Sequence, residues 1–339
     1  MKIAVVGAGG IGGYFGGRLA AAGHDVWFVA RGAHLQALRR DGLRIESPDG
    51  DLTVTPVRAT DDTREIGPVD VVLLCVKTWQ LEPAVEALKP LIGTGVGTGT
   101  AVVTLQNGVE APERVAAAVG REAVLPGIAK IIARVSGPGR IQHVGGLGSL
   151  TFGEWDNRVG ERARERSGER AGDRVERLRE ALAGASVTAV VAEDVWTELW
   201  AKFLFVVPLG SLGAVADVPF GVLRSRPGTR RLLADGMREI ERVARAAGIP
   251  LPDGIVASTL DFVDAQPAQG TTSLQRDVLA GLPSELDAWT GSAVRLGARY
   301  GIATPVHDVL YEVLRLREEQ ARREHGTGDL PASGGAGTR

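Results

Sequence analysis

The 339-residue chain has a single cysteine, Cys75, so no intrachain disulfide can form and a cysteine-based zinc site is excluded. A reducing, cytoplasmic setting fits that count. There is no excess of either charge: 39 Lys and Arg against 41 Asp and Glu leave a formal charge of −2. A near-neutral chain lacks the electrostatic footprint of a nucleic-acid binder. No run of about 18 uninterrupted apolar residues is present, so no membrane span is expected. The apolar run at the N-terminus breaks into glycines after Val6, too early for a signal peptide. The five histidines, His24, His34, His143, His307 and His325, are not paired at metal-ligand spacing, and no metal site is expected. Internal repeats are missing too, and the 46 glycines are scattered rather than periodic, which excludes a collagen-like chain.

What is present is the composition of a folded globular protein, 44% hydrophobic and 24% charged. At roughly 100–200 residues per domain the length suggests two domains. In the first third, short apolar runs alternate with helical patterns. Lys2–Val6, Asp25–Ala30, Val69–Val76 and Ala101–Leu105 read as strands; Tyr14–Ala22, His34–Arg40, Leu81–Leu91 and Pro112–Val119 read as helices. Leu43–Pro56 reads as irregular or hairpin strands, and Val124–Ala133 and Gly139–Gly153 as further strands. Such alternation predicts a parallel sheet with helices on both faces. Asp156–Glu180, rich in Arg, Glu and Gly, reads as a solvated loop leading into a surface helix. From Glu193 the pattern is helical, over Glu193–Val207, Arg230–Ala247, Pro283–Tyr300 and Thr304–Gln320. The expectation is an α/β domain of the Rossmann type over 1–190, an all-α domain over 191–325 and a disordered tail over 326–339.

Gly7, Gly9 and Gly12 form G-x-G-x-x-G between the first strand and the first helix. In that context Gly7 permits the tight turn, Gly9 lets the backbone approach a pyrophosphate, and Gly12 lets helix and strand pack closely. Gly10 and Ile11 fall in the same loop, where the helix N-terminus offers unpaired N–H groups to phosphate. NAD-binding domains place an acid at the end of the second strand for the ribose 2′-hydroxyl. Here that strand ends Phe28-Val29-Ala30 and Arg31 follows, with Asp25 at its front. A guanidinium suits a 2′-phosphate, so NADP(H) is the expected cofactor.

The combination resembles the ketopantoate reductases, also called 2-dehydropantoate 2-reductases, from residue 1 to about 320. The glycine loop and Arg31 are followed by Val76-Lys77-Thr78-Trp79-Gln80 and Leu105-Gln106-Asn107-Gly108. Trp200-Ala201-Lys202, Ser273-Leu274-Gln275-Arg276-Asp277, Ser284-Glu285-Leu286-Asp287 and Gly301-Ile302-Ala303-Thr304-Pro305-Val306 complete the set. The resemblance implies a Rossmann domain and a helical domain with the site in the cleft between them. It also implies reduction of the ketone of a small 2-oxo acid, ketopantoate, to pantoate by NADPH, on the way to pantothenate and coenzyme A.

Hydride addition builds negative charge on the carbonyl oxygen, and a proton donor there lowers the barrier. By resemblance Lys202 is the catalytic lysine, although a lysine in a helix is by default a surface charge. Glu285 is the active-site glutamate; read alone it is a first-turn helix acid favoured by the dipole. Ser273 matches a substrate-contacting serine and alone would be a helix cap. Asn107 and Lys77 stand at strand ends, where open α/β sheets bind ligands. Asn107 is assigned to both cofactor and substrate, Lys77 to the cofactor, and each would otherwise be a turn residue. Cys75 reads as a buried core thiol, His143 as structural, and Trp196 with Trp200 as one packing face.

One part of the pattern departs from the family. Two asparagines expected four and eight positions after the catalytic lysine are Val206 and Gly210 here, and a third, after the glutamate, is Thr290. A pocket that loses such donors discriminates differently. Another ketone in a specialised pathway is therefore a second reading, and a non-catalytic NADP(H)-binding sensor a third. The sequence leaves monomer and homodimer open.

Overall fold

A computed structural model of the chain describes residues 1–93, 99–156 and 162–324, with the backbone alone over 162–172. The expected tail over 326–339 and part of the charged segment Asp156–Glu180 lie outside the described residues. The chain opens with β1 (Lys2–Val6), α1 (Gly10–Ala21), β2 (Asp25–Val29) and α2 (Gly32–Asp41). β3 (Leu43–Glu46) and β4 (Leu52–Val54) then pair as an antiparallel hairpin, followed by the short strand β5 (Arg58–Thr60). Next come β6 (Val71–Leu74), α3 (Leu81–Leu88), β7 (Ala101–Thr104) and α4 (Ala111–Val119). The unit continues through β8 (Val124–Gly137), β9 (Arg140–Phe152), α5 (Arg162–Gly184) and β10 (Thr188–Val191).

β5, β2, β1, β6, β7 and β8 lie side by side and parallel, in that order. β6 and β7 are buried at every residue, which is why they read as unbroken apolar runs rather than alternating ones. β1 is flanked by β2 on one side and β6 on the other, so the direction of winding reverses at its carboxyl end. That reversal is where open sheets bind ligands. Beyond β7 the long strand β8 turns from its parallel partner to an antiparallel one, β9, with register shifts near Ile132 and Val135. The far edge of β9 takes β3 near Arg140 and β10 near Ser149. β5 and β10 escape sequence reading because three or four residues carry too little pattern.

Ile3, Val5, Phe15, Leu19, Phe28, Leu73, Val103, Leu125 and Phe152 form the core of this sheet. Burying each such side chain contributes about 1.5–3 kcal/mol. α5 is not purely a surface helix: Val175, Leu178 and Leu182 are buried in the same core, while Asp173, Glu176, Arg177 and Glu180 stay exposed. His143 is structural as expected, buried beneath Tyr14 and hydrogen-bonded to Ser47 Oγ at 2.9 Å and Gly145 O at 3.0 Å.

The helical part is α6 (Val195–Ala216), α7 (Phe220–Ser225), α8 (Pro227–Ala246), α9 (Ile255–Ala265), α10 (Ser273–Leu279), α11 (Ser292–Tyr300) and α12 (Pro305–Glu324). A π-turn, Asp287–Gly291, runs directly into α11. The chain divides into two compact units between Lys202 and Phe203, inside α6, whereas composition changes near residue 190. The first turns of α6 belong with the sheet because Trp196 stacks edge-on against Trp155 at 4.9 Å and donates its Nε1–H to Trp155 O. By length and composition α6 could cross a membrane, but 67% of its most apolar window is buried inside the protein. A core helix of this length and apolar composition accounts for that pattern.

The second unit has its own apolar core, with Leu233, Met237, Ile240, Val263, Leu274, Trp289 and Leu314 buried. It also buries a charge. Glu239 of α8 accepts from Val306 N at 2.8 Å, His307 N at 3.2 Å and His307 Nδ1 at 2.6 Å, capping the first turn of α12 from another helix. Both side chains are at most 2% exposed. Replacing Glu239 by Ala strands three buried donors and is expected to cost about 2–4 kcal/mol. A clear fall in the thermal unfolding midpoint checks this; an unchanged midpoint contradicts it.

Candidate active site

β1 ends at Val6 and the chain turns through Gly7 at φ +98°, a conformation that favours glycine. A Cβ on Gly7 would stand 2.8 Å from Val76 N; on Gly10, 2.4 Å from Ala133 O; on Gly12, 2.2 Å from Gly7 O. These three glycines let α1 press against the segment just after β6, against β8 and against its own entry turn. Gly9 differs. Its φ of −73° suits any residue, and an added Cβ would meet no protein atom within 4 Å. No side chain caps α1, so its first N–H groups face outward beside Gly9 and half-buried Ile11. An uncapped helix end beside a glycine that the protein's own packing does not require fits a bound pyrophosphate.

Arg31 follows β2 after one residue, Ala30, and is extended and exposed as the N-cap of α2. Asp25 lies at the opposite end of the strand, paired with Arg58 at 2.9 Å. Lys77 leaves β6 on the exposed side with its Nζ 5.6 Å from the ring of Trp79. Cys75, just past β6, is half-buried against the glycine loop rather than within the strand core. Its burial pushes the thiol far above its ordinary pKa, which disfavours the thiolate.

Asn107 is set by its neighbours. Gln106 is 5% exposed, and its Nε2 donates to Leu74 O at 2.9 Å and Val76 O at 3.1 Å, which locks the turn after β7 to the end of β6. Gly108 then turns at φ +98°. Lys202 Nζ donates to Asn107 Oδ1 at 2.9 Å and to Ala129 O of β8 at 3.1 Å. It is half-buried and directed at the sheet, so the surface-charge reading of Lys202 fails. Gln106 and the Ala129 carbonyl are the parts that sequence reasoning missed. Gln106 stood in the Leu105–Gly108 motif without a role, and a carbonyl leaves no mark in sequence.

In the second unit, Ser273 is the first residue of α10, but Thr272 is the cap, its Oγ1 accepting from Gln275 N at 3.1 Å. Glu285 is 3% exposed and precedes the π-turn rather than lying in the first turn of a helix. Ser284 Oγ accepts from Leu286 N at 3.1 Å, and the Glu285 carbonyl accepts from Trp289 N at 3.0 Å. Val206 is half-buried. Gly210 leaves no room for a side chain: a Cβ would lie 2.8 Å from Thr272 Oγ1 and 3.0 Å from Trp289 Cζ3. Thr290 is turned inward, 2.6 Å from Ser211 Oγ, which itself donates to Val207 O. Among the described residues no group of three or more His, Cys, Asp and Glu is placed to hold a metal.

Sheets wound this way take nucleotides at the glycine loop, and a lysine kept beside the same strand ends can give a proton to whatever reacts there. The class so defined is a dinucleotide-dependent oxidoreductase. The family model described as Ketopantoate reductase PanE/ApbA matches residues 3–157, and that of its C terminal matches residues 194–318. A 2-dehydropantoate 2-reductase of Mesorhizobium japonicum is 31% identical, with 93% of this chain and 97% of the relative covered. A crystal structure of a PanE/ApbA family ketopantoate reductase from Ralstonia eutropha gives a TM-score of 0.82 at 31% identity, covering 95% of this chain and all of that one. A D-mandelate dehydrogenase solved with NADH and anilino(oxo)acetate shares the fold, with a TM-score of 0.80 at 23% identity and 95% of this chain covered and 100% of that one. The chain belongs to the ketopantoate reductase family, oxidoreductases that act between a carbonyl and a hydroxyl group.

Two alanine variants separate the roles of the loop. Gly9→Ala is expected to leave the unfolding midpoint unchanged while weakening dinucleotide binding about tenfold or more, read by fluorescence titration. Gly12→Ala, with backbone in its way, is expected to lower the midpoint as well. Equal midpoints for the two would contradict the assignment.

Proposed function

We propose that the protein reduces the ketone of 2-dehydropantoate to (R)-pantoate with NADPH, a step of pantothenate and coenzyme A biosynthesis in the cytoplasm. The observation that carries this reading is the Lys202–Asn107 hydrogen bond at the strand ends beside the glycine loop. The 2-dehydropantoate 2-reductases among the relatives support the substrate. Arg31, with no acid at the end of β2, supports NADP(H) over NAD(H).

Gly7, Gly9, Gly10, Ile11 and Gly12 would hold the pyrophosphate, Arg31 the 2′-phosphate, and Lys77 and Asn107 the remainder of the cofactor. When bound, NADPH supplies the hydride. Lys202 Nζ supplies the proton to the carbonyl oxygen, so that hydride and proton together make the new CH–OH. Asn107 Oδ1 and Ala129 O hold the ammonium in place before the reaction, so little reorganisation accompanies transfer. Glu285 is assigned the substrate hydroxyl, and Ser273 a substrate contact.

A second reading has its own observation. Where a hydrogen-bonding side chain would be expected at position 210, Thr272 and Trp289 fill the space, and Thr290 spends its hydroxyl on Ser211. A pocket built this way favours a 2-oxo acid with a more apolar substituent.

The test is NADPH oxidation at about 340 nm with ketopantoate and a panel of 2-oxo acids, with NADH in parallel. Saturable turnover of ketopantoate with a preference for NADPH is expected, and Lys202→Ala should lower kcat by about 10²–10⁴-fold. Equal efficiency with NADH would refute the role of Arg31. Turnover confined to another 2-oxo acid selects the second reading. Tight NADPH binding without any turnover would mark a sensor instead.

A further inference from the structure

Glu285 sits in a stretch without regular structure. Leu282–Ser284 belong to neither helix nor strand, and the π-turn begins only at Asp287. The backbone of Glu285 is tied forward through its carbonyl, which accepts from Trp289 N at 3.0 Å, and the residues on either side of it are tied to a second element. Two hydrogen bonds make that tie, one on each side of Glu285, and both come from α12. Ser284 Oγ donates to Glu318 Oε1 at 2.5 Å, and Tyr311 Oη donates to Asp287 Oδ1 at 2.9 Å. Tyr311 and Glu318 are two helical turns apart and so share one face of α12.

The serine bond has a fixed sense. Ser284 Oγ accepts from Leu286 N and donates its own hydrogen to Glu318, since an ionised carboxylate only accepts. One hydroxyl thus links the residue before Glu285, the residue after it and a rigid helix. Glu318 is only 14% exposed, with Arg322 at 3.2 Å. Burial pushes its carboxyl up, and Ser284 and Arg322 pull it back. A mostly buried carboxylate with one oxygen on Arg322 and the other on Ser284 fixes where that serine stands.

We propose that Glu318 and Ser284 are positioning residues that hold Glu285 in its working orientation. The proposal rests on the reading that Glu285 acts on the substrate. Positional errors of about 1 Å at a reacting group can cost two orders of magnitude in rate, so loss of the tether should be visible in turnover.

The test uses the full chain and a mutant cycle, with kcat and KM measured for the preferred 2-oxo acid and NADPH affinity measured separately. Ser284→Ala and Glu318→Ala are each expected to lower kcat/KM about tenfold. The double variant should be no worse than either, because both cut one tether. Glu318→Gln, which keeps an acceptor oxygen, should recover most of the loss. NADPH affinity should not change. In a Glu285→Ala background, neither substitution should have further effect. Hydrogen exchange of the Leu286 and Trp289 amides should quicken in both single variants, a readout that needs no turnover. If Glu285→Ala cripples the enzyme while Glu318→Ala leaves kcat/KM and local exchange unchanged, the tether is wrong and the proposed function stands. Equal losses from Glu318→Ala with and without Glu285 would show a purely structural role and overturn the proposal. Near-normal turnover of Glu285→Ala overturns both the reading of Glu285 and this inference.

Discussion

The close approach of α1 to the sheet is the constraint on which the first unit depends. Gly7, Gly10 and Gly12 each stand where a single added carbon would strike backbone of the segment just after β6, of β8 or of the turn itself. Without that approach α1 would ride higher, and its N-terminus would no longer open at the carboxyl end of β1. The strand order then does the rest. Because winding reverses at β1, no loop crosses above that point, and the uncapped helix end stays accessible to phosphate. Gly9 is the one glycine of the G-x-G-x-x-G that packing leaves unexplained.

The strand ends are tied together by polar groups rather than by more apolar packing. Gln106 spans β7 and β6 through two carbonyls, and Lys202 spans Asn107 and Ala129. Hydrogen bonds of this kind contribute little net stability, since each replaces bonds to water. Their effect is directional: they set where the ammonium and the amide stand before a substrate arrives. The helical unit repeats the device. Glu239 with His307, Ser211 with Thr290 and Glu318 with Ser284 are polar pairs between separate segments, and each holds one segment in one position against another. Apolar contacts alone are non-directional and would allow the π-turn to slide along its neighbours.

Sequence alone determined the alternation of strands and helices in the first half, the glycine loop, the absence of an acid after β2 and the helical character of the second half. Those features are written locally, in runs of apolar residues, in helical periodicity and in glycine spacing, so they can be read without contacts. Lys202, Asn107, Glu285 and Ser273 were found by resemblance; taken singly, they read as a surface charge, a turn residue, a first-turn helix acid and a helix cap. Tertiary structure decided what each of them touches. It turned Lys202 toward Asn107, moved the cap of α10 from Ser273 to Thr272, placed Glu285 ahead of a π-turn and filled the space beside Gly210 with Thr272 and Trp289. The physical reason is distance along the chain. Lys202 and Asn107 are 95 residues apart, Glu239 and His307 68, and Ser284 and Glu318 34. No local pattern encodes which of many polar side chains will meet once the apolar faces are buried.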